Sequence, residues 1–232
     1  MVGFILVSSS RATAESPEEA LTRLEKARAE VKTLRFEATT TVVDGDITRE
    51  STAKTLERIH EGKRHSRVES RTKVRAKGGG DSSAQSRSVS VIDGDWEWRE
   101  VPVGGTTMVV KARPTAKNEF SRAREWMQKG QAKIKGHEKI EDESCLVLEI
   151  GPKDKEKGRT DAIQATYWIS ERYGLIMKSR VVLGEGNRIE MKVTEFAAGE
   201  SLPADAFTYT PPPGAKVIEG DFPTRTEKRS TP

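Results

Sequence analysis

The sequence predicts a mainly β fold with helices, built as an antiparallel meander, on three observations. From Arg35 onward, apolar and polar residues alternate with a period of two through most of the chain, which dries one face of a sheet and wets the other. Turn sequences, among them Asp-Gly-Asp at 44–46 and again at 93–95, separate these runs, so successive strands reverse direction. Ahead of them stands one stretch of helical period, and an amphipathic helix needs a surface to lie on.

That helix comes first. "SPEEALTRLEKARAEVKTL" begins with Ser16 as N-cap, Pro17 in the first turn and Glu19 three residues after the cap, a capping box. Leu21, Leu24, Ala27, Arg28 and Val31 share a stripe, which predicts a helix of about 16 to 18 residues. "RFEATTTVV" then reads as a strand turned by 44–46 into "ITRESTAKTLERIH", followed by "KRHSRVESRTKVRAK" and the loop "GGGDSSAQS". "SRSVSVI" and "WEWREV" flank the second Asp-Gly-Asp, and "TTMVVKA" stops before Pro114. A second helix interrupts the strands: Phe120, Ala123, Trp126 and Met127 share a face, with Asn118 placed to cap its start and Gly130 its end. Strands resume in "AKIKGHEKI", "CLVLEI", "AIQATYWIS", "GLIMKSRVVL" and "NRIEMKVTEF". "FTYT" at 207–210 reads as the last strand, stopped by three prolines that cannot donate to a ladder. No internal linker stands out, so 16–219 reads as one domain and 220–232 as a disordered polar tail.

Composition excludes several classes. The 40 cations and 36 anions leave a net charge of +4, which is weak attraction to anionic surfaces and no commitment to nucleic acid. A mean hydropathy of −0.66, with no apolar run of about 18 residues, excludes membrane-spanning helices and leaves at most a peripheral association. The single Cys145 allows no intramolecular disulfide and reads as a buried, inert thiol. In "MVGFILVSSSRATA" an apolar stretch precedes Ala12-Thr13-Ala14, the small-residue pattern that signal peptidase cuts. Residues 1–14 therefore read as the remnant of a signal peptide, and the protein as exported and monomeric.

Catalytic signatures are absent. His60, His65 and His137 form no HExxH, and neither a GxSxG elbow nor a P-loop occurs, so the chain reads as a non-enzyme with no metal and no cofactor. Two features remain. Taken as a strand, 64–77 places His65, Arg67, Glu69, Arg71, Lys73, Arg75 and Lys77 on one side, a stripe whose Arg67, Arg71, Lys73 and Arg75 suit an anionic partner. Trp96, Trp98, Phe120, Trp126, Met127 and Trp168 are the side chains from which an apolar cavity between sheet and helices can be lined.

The order of elements and the closing motif resemble the LolA-like family of periplasmic lipoprotein carriers. Its last strand closes as F-x-[FY]-x-P-P-x-G, which Phe207, Tyr209, Pro211, Pro212 and Gly214 match; Tyr167, Trp168, Ile169, Gly174 and Leu175 look like its penultimate hairpin. The resemblance covers roughly residues 16 to 219, and its most specific part is the last 55 or so. It implies a curved antiparallel sheet, an incomplete or half β-barrel covered by helices, whose cavity holds lipoprotein acyl chains or lipid in the periplasm. Where carriers of the family have a basic residue and proline on an early strand, this chain has Glu61-Gly62, so no lid arginine is assigned. The alternative is a non-catalytic envelope-stress or regulatory module that binds a protein or other anionic partner through the basic strand face.

Overall fold

The computed structural model describes residues 15–76, 84–103, 106–114, 120–129, 131–152, 164–184 and 186–220. The leader at 1–14, the tail beyond Gly220, the helix caps Asn118 and Gly130, and Lys77 lie outside them.

Helix α1 spans Pro17–Glu30. The Ser16 hydroxyl accepts from the Glu19 amide and the Glu19 carboxylate accepts from the Ser16 amide, so two otherwise orphaned donors are satisfied by each other's side chains. The helix is shorter than its stripe suggested, because Val31 is already extended and Thr33 opens the first strand. Ala20, Leu21 and Leu24 are fully buried.

Twelve strands form one open, curved sheet: β1 (Thr33–Asp44), β2 (Ile47–His60), β3 (Lys63–Ala76), β4 (Ala84–Asp93), β5 (Glu97–Val103), β6 (Thr106–Ala112), β7 (Gln131–Ile140), β8 (Glu143–Gly151), β9 (Gln164–Ser170), β10 (Ile176–Val182), β11 (Arg188–Ala198) and β12 (Lys216–Glu219). The order across the sheet is β12-β6-β5-β4-β3-β2-β1-β11-β10-β9-β8-β7. Two meanders, β1–β6 and β7–β11, are thus joined by one antiparallel ladder between β1 and β11. The chain must cross from the β6 edge to the β7 edge. Helix α2 (Ser121–Lys129) sits in that crossing.

The turns are as tight as the sequence indicated. Gly45 (φ +57°) and Asp46 close the first hairpin, while Glu61 (φ +52°) and Gly62 (φ +74°) close the second, a two-residue loop with both central residues left-handed. Glu61-Gly62, the departure from the carrier pattern, is therefore a hairpin tip. At 93–95 the Asp93 carboxylate accepts from the amides of Asp95 (3.1 Å) and Trp96 (2.8 Å) and from the Trp98 indole (3.0 Å), which fixes the loop into β5.

The end of the sheet corrects one expectation. Ala204–Phe207 is a short 3-10 helix, and 208–215 joins no ladder. The last strand lies beyond the prolines, where β12 pairs parallel with β6. Fixed φ and missing amides keep Pro211, Pro212 and Pro213 out of a ladder, and from β11 the chain has to travel back to the β6 edge before it can pair. Gly220, assigned to the tail by sequence, still donates its amide to the Lys111 carbonyl (3.1 Å).

One apolar core lies between the helices and the second meander. Leu21, Leu24, Phe120 and Ala123 meet Leu146, Leu148, Ile150, Ala165, Tyr167, Ile169 and Val181; burial pushes the Tyr167 hydroxyl pKa up to about 12. A second cluster gathers Leu34, Ala38, Cys145, Leu175, Met177 and Val193. Cys145 is fully buried and its thiol pKa is pushed up to about 11, chiefly by that burial, which keeps it protonated and unreactive.

Helix α1 meets the β9–β10 turn at Gly174, whose φ is +59°. A Cβ there would stand 2.1 Å from the Leu24 carbonyl oxygen and 2.8 Å from the Arg28 amide nitrogen. Both neighbours are helix backbone and cannot swing away. Gly174→Ala is expected to destabilise the fold by on the order of 3 kcal/mol, combining left-handed strain with overpacking; urea unfolding monitored by circular dichroism measures it.

Candidate functional site

Pleat parity sorts the sheet into two faces. The α1 face is marked by Glu57 of β2, which is 7% exposed. Its carboxylate accepts from Arg28 of α1 and, at 2.6 Å, from Arg64 of β3. The two helices are tied in turn: the Arg124 guanidinium of α2 donates to both carboxylate oxygens of Glu25 on α1, at 2.9 and 2.5 Å. The fork-on-fork geometry fixes orientation as well as distance.

The six candidate cavity residues fall in three places. Phe120, Trp126 and Met127 come together under α2 on the core; Phe120 is buried, whereas Trp126 and Met127 are partly exposed at its margin, Trp126 with its ring 6.4 Å from that of Tyr167. Trp168, next in sequence to Tyr167, faces the other way, with Lys178 Nζ 4.4 Å from its ring centre and its indole donating to Glu138 (2.8 Å). Trp96 and Trp98 also lie on that opposite face but at β5, with six strands between it and β9 in the sheet order. Lys111 stands over both rings (4.3 and 5.2 Å) and Arg113 over Trp96 (4.0 Å). The described clefts are lined by other residues.

The C-terminal segment crosses this opposite face. Phe207, 3% exposed, packs its ring 5.8 Å from His65 with the Arg58 guanidinium 4.9 Å from its centre. The Tyr209 ring lies 5.6 Å from Trp98 and its hydroxyl donates to Glu100 (3.1 Å). Burial and the Glu100 charge hold that hydroxyl well above the ordinary tyrosine range. Burial, then Arg58, hold the His65 pKa below its ordinary value, so the imidazole is neutral beneath Phe207.

The alternation expected of β3 is present: His65, Arg67, Glu69, Arg71, Lys73 and Arg75 share the face opposite α1. Arg67 is bound to Glu69 (2.8 Å), Arg87 of β4 to the same carboxylate (3.2 Å), Arg75 to Glu50 (3.5 Å) and Lys54 to Glu37 (2.6 Å). Two neighbouring clefts open here. One, of about 890 Å3, is lined by Glu50, Thr52, Lys54, Glu69, Arg71, Lys73 and Arg87; the other, of about 410 Å3, by Arg35, Phe36, Leu56, Arg67 and Phe196, and both share Lys54 and Glu69. Among the described residues, no three His, Cys, Asp or Glu side chains converge as metal ligands, and no helix is long and apolar enough to cross a membrane.

The residues that sequence reasoning missed are Glu57 and Arg87. Glu57 is one carboxylate among 36 acidic residues; the available signal was Arg28 on the apolar stripe of α1, a cation that requires a buried anion. Arg87 becomes visible only when β4 is placed in register with β3.

The sequence matches no protein-family model and no curated protein. Solved structures share the fold. The Pseudomonas aeruginosa MucA/MucB complex is 14% identical over 83% of this chain and 60% of the matched one, with a TM-score of 0.53. A structure of MucB in complex with MucA(peri) is 15% identical over 84% and 60%, also at 0.53. The lipoprotein LppX of Mycobacterium tuberculosis is 14% identical over 82% and 100%, at 0.41. The chain thus spans three-fifths of the first two matched chains and shares their fold, an open curved sheet with helices on one face.

Replacing Glu57 by Gln leaves Arg28 buried opposite a neutral group, and a loss of about 3 kcal/mol is expected in urea unfolding. For His65 the folded pKa lies below the unfolded one, so its contribution is intact above about pH 6.5 and falls as the pH drops through that value. The unfolding midpoint is expected to decrease from pH 7 to pH 5, with a shallower slope in His65→Gln.

Proposed function

We propose that this is an exported, non-catalytic carrier, one LolA-like domain over 16–219, that shelters the acyl chains of a lipoprotein or lipid between α2 and the second meander. The observation that carries this reading is the α2 margin. Trp126 and Met127 are half-covered there and, like Ala132, Ile134, Ile189 and Met191, pack against the edge of the buried apolar cluster. A nine-residue helix resting on β7 and β8 is short enough to shift as a unit, with Trp126 and Met127 at its loosely covered margin. An acyl chain repays the opening at about 0.8 kcal/mol for each CH2 that it buries. Met side chains adapt to such a guest without a preformed void. No reactive group is required, since the ligand is moved and not converted. The Arg124–Glu25 fork makes α1 and α2 move as a pair or break at that contact.

Purification from the periplasm without detergent, followed by native mass spectrometry, tests the reading. The expected result is added mass matching one or more acyl chains, lost in Trp126→Glu, which places a charge in the path of the chain. A bare protein mass that persists after incubation with a triacylated peptide would overturn the carrier reading.

A further inference from the structure

The geometry points to a docking surface for an extended acidic segment of a protein partner on the face opposite the helices, with Arg71, Lys73 and Arg87 as its anchors. Arg71 and Arg87 are direct cross-strand neighbours in the β3–β4 ladder. Like charges directly opposite each other in an antiparallel pair oppose folding, so this placement costs stability that only the Arg87 side of the pair offsets through a carboxylate. Arg87 is held by Glu69, but among the described residues neither Arg71 nor Lys73 has a carboxylate within 4.0 Å, although Arg67, Arg75, Arg87 and Lys54 on the same face all do. The field of Arg71 reaches far enough to work against protonation of Lys54.

The chemistry of the occupant follows from charge and spacing. Arg71 and Lys73 are two residues apart on one strand, hence roughly 6.6 Å along it, the repeat of same-side side chains in an extended peptide. Acidic residues at alternate positions of such a peptide meet both. Glu50 and Glu69 bracket the cations in the same cleft and repel a continuous polyanion, which disfavours a lipid leaflet or a nucleic acid. The cleft of about 890 Å3 shares the walls Lys54 and Glu69 with that of about 410 Å3, where Leu56 pairs with Arg67, four residues along β3 from Arg71. A bulky apolar side chain four residues beyond the second acid reaches it.

The test uses the full chain and a fluorescein-labelled decapeptide of Gly and Ser with Asp at its third and fifth positions and Leu at its ninth. Fluorescence anisotropy is expected to show binding that weakens at least tenfold when Asn replaces both Asp, when Arg71→Ala and Lys73→Ala are combined, and when salt rises from about 0.05 to 0.3 M. Lys178→Ala, on β10 of the same face, leaves the affinity unchanged. Arg71→Glu abolishes binding while raising the urea midpoint, since it puts an acid opposite Arg87; a merely structural Arg71 would lose stability instead. Equal affinity for the Asn peptide, undiminished binding by the double variant, or preference for phosphatidylglycerol vesicles over the peptide would each overturn the proposal. Because Arg71 and Lys73 are exposed and lie on the face opposite α2, their failure leaves acyl-chain binding untouched, and the reverse holds for Trp126→Glu.

Discussion

The ladder between β1 and β11 is the contact on which the molecule depends. It joins residues about 150 positions apart, from Leu34 opposite Ala198 to Val43 opposite Arg188, and among the described residues no other strand pairing connects the two meanders. Because of it, β2 lies near enough to β9 and β10 for one short helix to touch both. Leu24 and Arg28 of α1 press on Gly174 in the β9–β10 turn, while the Arg28 guanidinium reaches Glu57 on β2. Without the ladder, α1 would have half a surface and Glu57 would lose Arg28, one of its two cations, a costly change for a buried carboxylate.

The two meanders are physically unlike. On the α1 face, β8 and β9 offer Leu146, Leu148, Ile150, Tyr167 and Ile169, a dry surface that holds helices. The corresponding face of β2–β4 is lined by small hydroxyls, with Ser51 bonded to Thr72 and Ser70 to Ser88 at 2.8 Å each. Cross-strand hydroxyl pairs satisfy one another and hold register at little cost in area. The first meander therefore contributes ladder hydrogen bonds and charge, and the second contributes the core. The C-terminal segment compensates on the far side, where Phe207 and Tyr209 cover part of a face that carries buried Val89, Val91 and Val109.

Local chemistry was legible in the sequence and non-local chemistry was not. Ser16, Pro17 and Glu19 announced α1; the alternation at 65–75 announced both sides of β3; the hairpins at 44–46 and 93–95 followed from Asp-Gly. Each depends on residues within a few positions of one another. The pairing of β1 with β11 leaves no such mark, since both strands are simply amphipathic. The aromatics misled for the same reason: Tyr167 and Trp168 are adjacent, and only the register tells which one faces the helices. "FTYT" has strand-like alternation, yet the chain spends it on crossing the sheet, and the strand comes after the prolines. The open curved sheet was an expectation of the resemblance and not of periodicity, and the Phe207–Gly214 segment that carried the resemblance itself forms no strand.

That displaced last strand has a consequence for how the protein behaves at high concentration. β12 is four residues long, entirely exposed, and leaves Val217 and Ile218 at 43% and 38% exposure on an edge that no other strand among the described residues covers. Its side-chain tether is Lys111 to Glu219 (2.7 Å), an exposed contact that salt weakens. When it frays, β6 presents a bare row of amides and carbonyls beside Val109 and Val110. Two molecules could then exchange terminal strands, each supplying the other's edge, and the same short segment that finishes the sheet would close a domain-swapped dimer.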